Sequence, residues 1–161
     1  ENVGSKFWFT LPNRNISKER DRKEKKILRS KDNVASPKGH SILVVEDNQT
    51  NLEMIKYLLE INRHMVFIAR NGKDAINKAN AVNPELILMD IRMSEMDGLE
   101  ATKRIRLNPK FSNIPIIAIT ASAGDESRQE CLNAGCTDHL SKPVQSSELF
   151  DMLKVHLKKN N

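Results

Sequence analysis

Apolar and polar positions alternate in blocks along residues 41–161. Short apolar runs, each of a length typical of a strand, lie at residues 42–45, 65–69, 86–89, 115–119 and 138–141. The segments between and after them carry apolar residues at helical spacing, and they lie at 51–61, 73–81, 99–107, 127–134 and 147–158. Five strands that alternate with five helices predict a parallel sheet covered by helices on both faces.

Several of the strand-like runs are apolar throughout rather than alternating. The runs "LILM" (86–89) and "IPIIAI" (114–119) therefore favour strands buried on both faces over the strands of a sandwich. Gly135 is suited to ending the helix before it, because glycine readily adopts a left-handed conformation. Asn83–Pro84 and Asn108–Pro109 are typical of loops. The segment "VASPKGHS" (34–41) indicates the boundary at which the alternating pattern begins.

The positive charge of the chain lies in its first 40 residues. The 161 residues carry a net charge of +5, but residues 1–40 hold 11 Lys/Arg against 5 Asp/Glu, and the remainder hold 15 against 16. In "KERDRKEKKILRSK" (18–31) acidic residues interleave with the bases, which favours a solvated linker over a nucleic-acid-binding patch. There is no apolar run long enough to span a membrane and no signal peptide. With Cys131 and Cys136 expected to be buried, reduced thiols, we expect a cytoplasmic setting without membrane contact.

Polar side chains collect at the carboxyl ends of four predicted strands. The first strand is followed by Glu46 and Asp47, the third ends in Asp90, the fourth ends in Thr120, and the fifth leads to Lys142. Because ligands of open α/β sheets bind outside the carboxyl ends of the strands, we expect these side chains to meet in one site. A single acid at a strand end is commonly a helix cap, but five such groups at one edge are difficult to reach by accident.

The crowded carboxylates repel each other and resist burial, but they are tolerable if a hard divalent cation neutralises them. Mg²⁺ suits them, since it prefers oxygen ligands and retains several waters. Asp47 and Asp90 can coordinate the ion directly, Glu46 can hold a coordinating water, and the backbone carbonyl of Arg92 can supply another oxygen. A metal held in this way offsets the charge of a phosphoryl group.

The remaining groups at this edge suit phosphoryl chemistry. Lys142 and Thr120 are placed as donors to phosphoryl oxygens. Asp90 lies centrally among them, and a carboxylate can be phosphorylated to an acyl phosphate. Asp90 is therefore the candidate nucleophile.

These motifs together resemble the receiver domain of bacterial two-component response regulators. The matching segments are "VVEDN" (44–48), "MDIRMSEMDG" (89–98), "AITA" (118–121) and "KP" (142–143), and the resemblance covers about residues 40–158. It implies a flavodoxin-like (βα)5 fold, which is a doubly wound parallel five-stranded sheet with strand order 2-1-3-4-5.

The resemblance also implies a role for each matching residue. Asp90 would take a phosphoryl group from the phosphohistidine of a kinase or phosphotransfer domain, and Glu46 and Asp47 would hold Mg²⁺. The domain would then relay the group or change its conformation. A homodimer remains open as an expectation, and no nucleic-acid partner is expected. Thr120 would be the switch hydroxyl, and the backbone of Ala121 would contact the phosphoryl group. Lys142 would be the phosphate-binding lysine, and Pro143 would match the family's cis-proline.

Two positions depart from the family's pattern. The family often has "DxxMPxMDG", and Ser94 stands here in place of the proline, so we expect a looser loop without loss of function. The family's switch aromatic corresponds to His139, which we interpret as a smaller, titratable switch or as an ordinary half-buried histidine. The other histidines belong to no motif and are expected at the surface; they are His40, His64 and His156.

The segment "GSKFWFTLP" (4–12) does not belong to a receiver domain. Phe7 and Phe9 alternate with Trp8 and Thr10 at strand periodicity. The segment resembles the last strand of the ATP-binding domain of sensor histidine kinases. We therefore expect a terminal kinase strand at 1–12, a basic linker at 13–39 and a receiver at 40–161. All three would belong to a hybrid histidine kinase, in which a membrane anchor could lie upstream. This portion alone would not autophosphorylate from ATP, so whether it counts as an enzyme is left open.

Three other classes of protein compete with a signalling receiver. A Mg²⁺-dependent phosphohydrolase with an aspartyl nucleophile is the main alternative, but such enzymes usually carry a second acid where this chain has Arg92. A flavin-binding module of similar fold needs a Ser/Thr/Gly-rich phosphate loop, which "EDNQTN" (46–51) does not supply. A DNA-binding regulator would need an effector domain, and we expect only a helix and a tail after Pro143.

Overall fold

The computed structural model of the protein describes residues 39–121 and 124–157. Within them, five strands form one parallel sheet in the order β2-β1-β3-β4-β5, which confirms the predicted fold class. The predicted strand at 1–12, and the predicted linker except Gly39, lie outside the described residues. The strands are β1 (Ser41–Val45), β2 (Met65–Ala69), β3 (Leu86–Asp90), β4 (Ile116–Thr120) and β5 (Asp138–Ser141).

One helix follows each strand, so every predicted helix is confirmed, with ends that differ by at most two residues. A 3-10 turn, Pro109–Phe111, lies before β4. In the part of the chain that the structure describes, no helix is both long and apolar enough to cross a membrane. The helices are α1 (Gln49–Ile61), α2 (Gly72–Val82), α3 (Gly98–Arg106), α4 (Asp125–Ala134) and α5 (Ser146–His156).

The sheet separates two apolar cores. On one face, α2, α3 and α4 pack against alternate strand residues such as Leu43, Ile87 and Ala118. On the other face, α1 and α5 pack against the intervening residues, such as Val44 and Leu88. Because both faces are covered, β1, β3 and β4 are apolar along nearly their whole length, as the unbroken runs in the sequence predict.

Short polar side chains begin three of the helices. The side chains of Asn48, Asn71 and Asp97 each accept a hydrogen bond from the backbone N–H three residues later, at 3.1, 2.8 and 2.8 Å. At the other end of α4, Gly135 has φ of 99°, which confirms it as the residue that ends the helix. The three side-chain caps fix where α1, α2 and α3 begin after the strands that precede them.

The three histidines expected at the surface are half-buried and have partners, so that expectation is corrected. The backbone N–H of His40 donates to Nδ1 of His64 at 3.2 Å, and Nδ1 of His40 lies 3.0 Å from the Glu85 carboxylate. Burial lowers the pKa of His64, with a further contribution from His40. Nε2 of His156 lies 3.2 Å from the Asp138 carboxylate. The sequence contains no signal for these contacts, because each joins residues far apart in the chain.

The two cysteines agree with the prediction that they serve as small apolar residues. Cys131 and Cys136 are free thiols, and both are buried. Burial raises the pKa of the Cys136 thiol to about 11. The reactive thiolate is therefore scarce at neutral pH.

Replacement of Gly98, the first residue of α3, should destabilise the fold. A Cβ atom at this position would lie 2.1 Å from the backbone oxygen of Asp90. We expect Gly98→Ala to lower the free energy of unfolding by about 1–3 kcal/mol, because the packed backbone must move to accept the methyl group. Gly124→Ala is the control, since Gly124 is exposed and has φ of −74°. Urea denaturation of both variants checks this, and equal stabilities would contradict it.

Candidate functional site

A crevice forms at the carboxyl edge of the sheet between β1 and β3. Helix α1, which follows β1, packs on one face of the sheet, and α3, which follows β3, packs on the other. The two connections therefore leave the edge in opposite directions and open a gap between neighbouring strands. Glu46 and Asp47 follow β1 at this gap, and Asp90 is the last residue of β3.

Three carboxylates meet in this crevice, as the sequence predicts. Carboxylate oxygens of Glu46, Asp47 and Asp90 all lie within 4.8 Å of one another. Glu46 is fully buried and Asp90 is 2% exposed, whereas Asp47 is open to solvent. Three carboxylates this close, one of them accessible, form a group that could hold a metal ion.

Lys142 forms ion pairs with both buried carboxylates. Its Nζ lies 2.9 Å from Oε2 of Glu46 and 2.7 Å from Oδ2 of Asp90. The residue is positioned by the end of β5, where its backbone N–H donates to the carbonyl of Thr120 at 2.8 Å. The Lys142–Pro143 peptide bond is cis, as the resemblance implies. One ammonium group thus links the acid that follows β1 to the acid that ends β3.

Backbone N–H groups hold each carboxylate in place. Glu46 accepts from the N–H of Asn48 at 3.2 Å, and Asp90 accepts from the N–H of Arg92 at the same distance. These donors leave no signal in the sequence, because any non-proline residue supplies an N–H and only the loop conformation aims it.

Two further contacts complete this set of donors. Asp47 accepts from the N–H of Ser94 at 3.4 Å. The side-chain amide of Asn51, on the first turn of α1, donates to Oε1 of Glu46 at 3.4 Å. Asn51 is a polar residue one turn after the acids, and that spacing is the signal by which it could have been found.

Burial and neighbouring charges shift the pKa values of two groups in the crevice. Burial raises the pKa of Asp90, and the nearby Glu46 adds to that rise, although the hydrogen bond from Lys142 opposes it. Burial also disfavours the charge of Lys142, but its hydrogen bonds to Asp90 and Glu46 outweigh burial and raise its pKa. The ammonium therefore stays charged while the pocket retains excess negative charge, which is a setting that attracts a cation.

The other predicted site residues surround the carboxylates to different degrees. Thr120 ends β4 beside Asp90 and is buried, and Ala121 follows it and is exposed. His139 lies on β5, half-buried, in a groove of about 460 Å³ between β5 and α5. Arg92 is exposed in the loop after β3. The roles predicted for these residues remain predictions.

The arrangement resembles a site for a cation and an anionic group together. Carboxylates alone would repel an anion, but a bound cation would reverse the local charge, and Lys142 is already present as a second positive group. A phosphoryl group is an anion that such a pair can stabilise.

A family model for the response regulator receiver domain matches residues 42–154. The chain therefore belongs to the response regulator receiver domain family of two-component signal transduction. This membership favours a phosphoryl-accepting receiver over the phosphohydrolase, flavin-binding and DNA-binding alternatives.

Two solved structures illustrate the likeness. The receiver domain of a sensor histidine kinase from Pseudomonas aeruginosa is 37% identical and has a TM-score of 0.70. The match covers 74% of this chain and 98% of that domain. That domain holds a magnesium ion in its active-site cleft. A receiver domain from Saccharomyces cerevisiae, crystallised with a histidine phosphotransfer signalling protein, is 29% identical with a TM-score of 0.70, covering 73% of this chain and 88% of that one.

A much longer protein is also similar. "Hybrid signal transduction histidine kinase B" of Dictyostelium discoideum is 37% identical over 147 residues, which is 84% of this chain and 8% of the kinase. Residues 40–161 make up a smaller share of the chain than the 84% that is matched, so the similarity extends into the residues before position 40.

Removal of the Asp90 charge should stabilise the protein in the absence of divalent cations. Because the pKa of Asp90 is raised in the folded state, its ionisation lowers the stability of the protein. This loss is complete at a pH above the folded-state pKa and absent at a pH below the unfolded-state pKa. We expect Asp90→Asn to raise the free energy of unfolding at pH 7, because the amide does not carry the buried charge. The gain should shrink as the pH falls through the folded-state pKa.

Urea denaturation in a chelating buffer across the pH range measures this effect. Asp151→Asn serves as the control, because Asp151 is an exposed acid paired with Lys154 at 2.9 Å, away from the crevice. A loss of stability in Asp90→Asn at pH 7 would contradict the expectation.

Proposed function

We propose that Asp90 is the residue that accepts the phosphoryl group and that Mg²⁺ supports the transfer. The observation that carries this proposal is the shared contact of Lys142 with Asp90 and Glu46, beside the exposed carboxylate of Asp47. The donor set fits Mg²⁺, since all of its groups are oxygens. Asp47 and Asp90 would hold the ion directly, Glu46 through a water, and the backbone carbonyl of Arg92 would add a ligand.

The transfer itself requires little from the protein beyond position and charge. A carboxylate oxygen of Asp90 forms a bond to phosphorus as the bond from phosphorus to the donor's imidazole nitrogen breaks. The imidazole leaves with the electron pair of that bond, and the product is an acyl phosphate on Asp90. Mg²⁺, when bound, would offset the charge that builds on the phosphoryl oxygens.

The neighbouring donors would convert this modification into a conformational change. Lys142 pairs with Asp90 and Glu46 before transfer, and a phosphoryl group on Asp90 would give it a new anionic partner. Thr120, with its hydroxyl at the same edge, and the backbone of Ala121 would contact the remaining phosphoryl oxygens. Phosphorylation would then shift the balance between two conformations of the domain. Movement at β4 and β5 would accompany this shift and alter the surroundings of His139.

The wider context of the domain is also a proposal. The extended similarity to a hybrid kinase and the aromatic segment at 4–12 support a receiver that follows a kinase ATP-binding domain. Residues 1–12 would be the final kinase strand, 13–39 a linker and 40–161 the receiver, in a cytoplasmic location. The partner would be a phosphohistidine on a kinase or phosphotransfer domain, as the yeast complex suggests.

Phosphorylation at Asp90 can be tested without knowledge of the natural partner. We expect acetyl phosphate with Mg²⁺ to form one acyl phosphate on the protein and beryllofluoride to bind at the same place. Asp90→Asn should abolish both, because it replaces the nucleophilic carboxylate with an uncharged amide. Intact-mass spectrometry and hydroxylamine sensitivity measure the product.

Asp125→Asn is the control for this experiment, since Asp125 is an exposed acid in the first turn of α4. An unchanged yield of acyl phosphate in Asp90→Asn would show that another residue is the acceptor. Sustained turnover of added phosphate esters by the parent would favour a phosphohydrolase instead.

Deletion of residues 1–36 tests the proposed domain boundary. We expect the melting temperature and the phosphorylation of Asp90 to change little, because the family match begins at residue 42. Self-association should decrease, since the deletion removes the three consecutive aromatic residues Phe7, Trp8 and Phe9. Light scattering and thermal denaturation measure both effects, and a large fall in the melting temperature of a monomer would contradict the boundary.

A further inference from the structure

Asp47 differs from the other two carboxylates in how its charge is held. The ion pairs of Lys142 in the crevice are with Glu46 and Asp90, both of which are buried. Asp47 is exposed, and the contact that the structure gives its carboxylate is the backbone N–H of Ser94 at 3.4 Å. Repulsion from two neighbouring carboxylates and access to solvent both favour a side chain that turns outward.

The loop after β3 presents this N–H group through a tight turn. The carbonyl of Ser94 accepts from the N–H of Met96 at 2.9 Å, across Glu95, which has φ of 67°. The loop then closes where the N–H of Gly98 donates to the carbonyl of Ile91 at 3.0 Å. A non-glycine residue with positive φ is held against its own preference, so the turn that aims Ser94 is maintained by the surrounding contacts.

We propose that Ser94 is a positioning residue, whose backbone N–H holds Asp47 in place to bind the metal. A proline here, as in the family pattern "DxxMPxMDG", has no N–H and cannot make this contact. Ser94 in place of the proline was expected only to loosen the loop. Its N–H instead gives the loop a second backbone contact with the acidic site, in addition to that of Arg92 with Asp90. This inference rests on the proposed role of Asp47 as a Mg²⁺ ligand.

The physical consequence is a gain in metal affinity through preorganisation. A ligand that already faces the site loses less conformational freedom when the ion binds. Groups that orient metal ligands typically change affinity by about 10- to 100-fold when they are removed. Because this hydrogen bond is long and one partner is exposed, we expect about a three- to tenfold effect, at or below the lower end of that range.

The hydrogen bond itself is tested first, in the full chain with a chelator present. Amide exchange of Ser94 measured by NMR should accelerate in Asp47→Ala, because the acceptor is gone. The amide of Arg92, which donates to Asp90 at 3.2 Å, is the internal reference and should keep its exchange rate. An unchanged rate at Ser94 would overturn the inference, and this measurement stands even if a proline variant does not fold.

The effect on the metal is tested with a pair of variants. Ser94→Pro removes the N–H, whereas Ser94→Ala removes the hydroxyl and retains the N–H. Mg²⁺ titration by calorimetry, with circular dichroism to establish folding, should show weaker binding in Ser94→Pro than in Ser94→Ala. Equal affinities in the two variants, or tighter binding in Ser94→Pro, would overturn the inference.

The same titration separates this inference from the proposed function. Asp47→Ala should weaken Mg²⁺ binding more than Ser94→Pro does, because it removes the ligand and not only its support. If Mg²⁺ affinity in the parent does not depend on Asp47, the proposed metal site fails, and the role of Ser94 fails with it. If affinity depends on Asp47 but not on the N–H of Ser94, the metal site stands and only the positioning role is lost.

Discussion

The pairing of one ammonium group with two buried carboxylates is the constraint on which this site depends. Glu46 and Asp90 are almost completely removed from water, and either charge would be costly there without a partner. Lys142 reaches both from the end of β5, the strand at the far side of β4 from Asp90. The pocket can hold its acids only while β1, β3 and β5 keep their places in the sheet, so the chemistry of the site and the topology of the fold are linked.

The same crevice owes its shape to the direction in which the helices leave the sheet. Helix α1 packs on one face and α3 on the other, and this divergence opens the edge between β1 and β3. Gly98 allows α3 to begin directly against the backbone of Asp90. The loop between them also carries Ser94, which contacts Asp47 across the opening. Acids from two strands are thereby combined with N–H groups from the intervening loops into one site.

Most of the fold could be predicted from the sequence, and the reason is periodicity. Unbroken apolar runs such as "LILM" (86–89) indicated strands buried on both faces, and Gly135 indicated where α4 ends. The gathering of Glu46, Asp47, Asp90 and Lys142 was predictable because parallel strands end at a common edge. The half-buried setting of His40 and His64 was not, because their contact joins the entry of β1 to the turn before β2. Nor were the N–H donors of Asn48, Arg92 and Ser94, which have no side-chain signature.

The sequence by itself determined which residues are available for chemistry at the carboxyl edge, since residue type and strand position are both properties of the local pattern. Only the tertiary structure decided how their charges are divided. Lys142 pairs with both Glu46 and Asp90, whereas Asp47 remains open to solvent and accepts a hydrogen bond from the backbone N–H of Ser94. That division depends on distances between atoms on different strands and loops, and such distances are set by packing of the whole domain and not by the order of residues in any one segment.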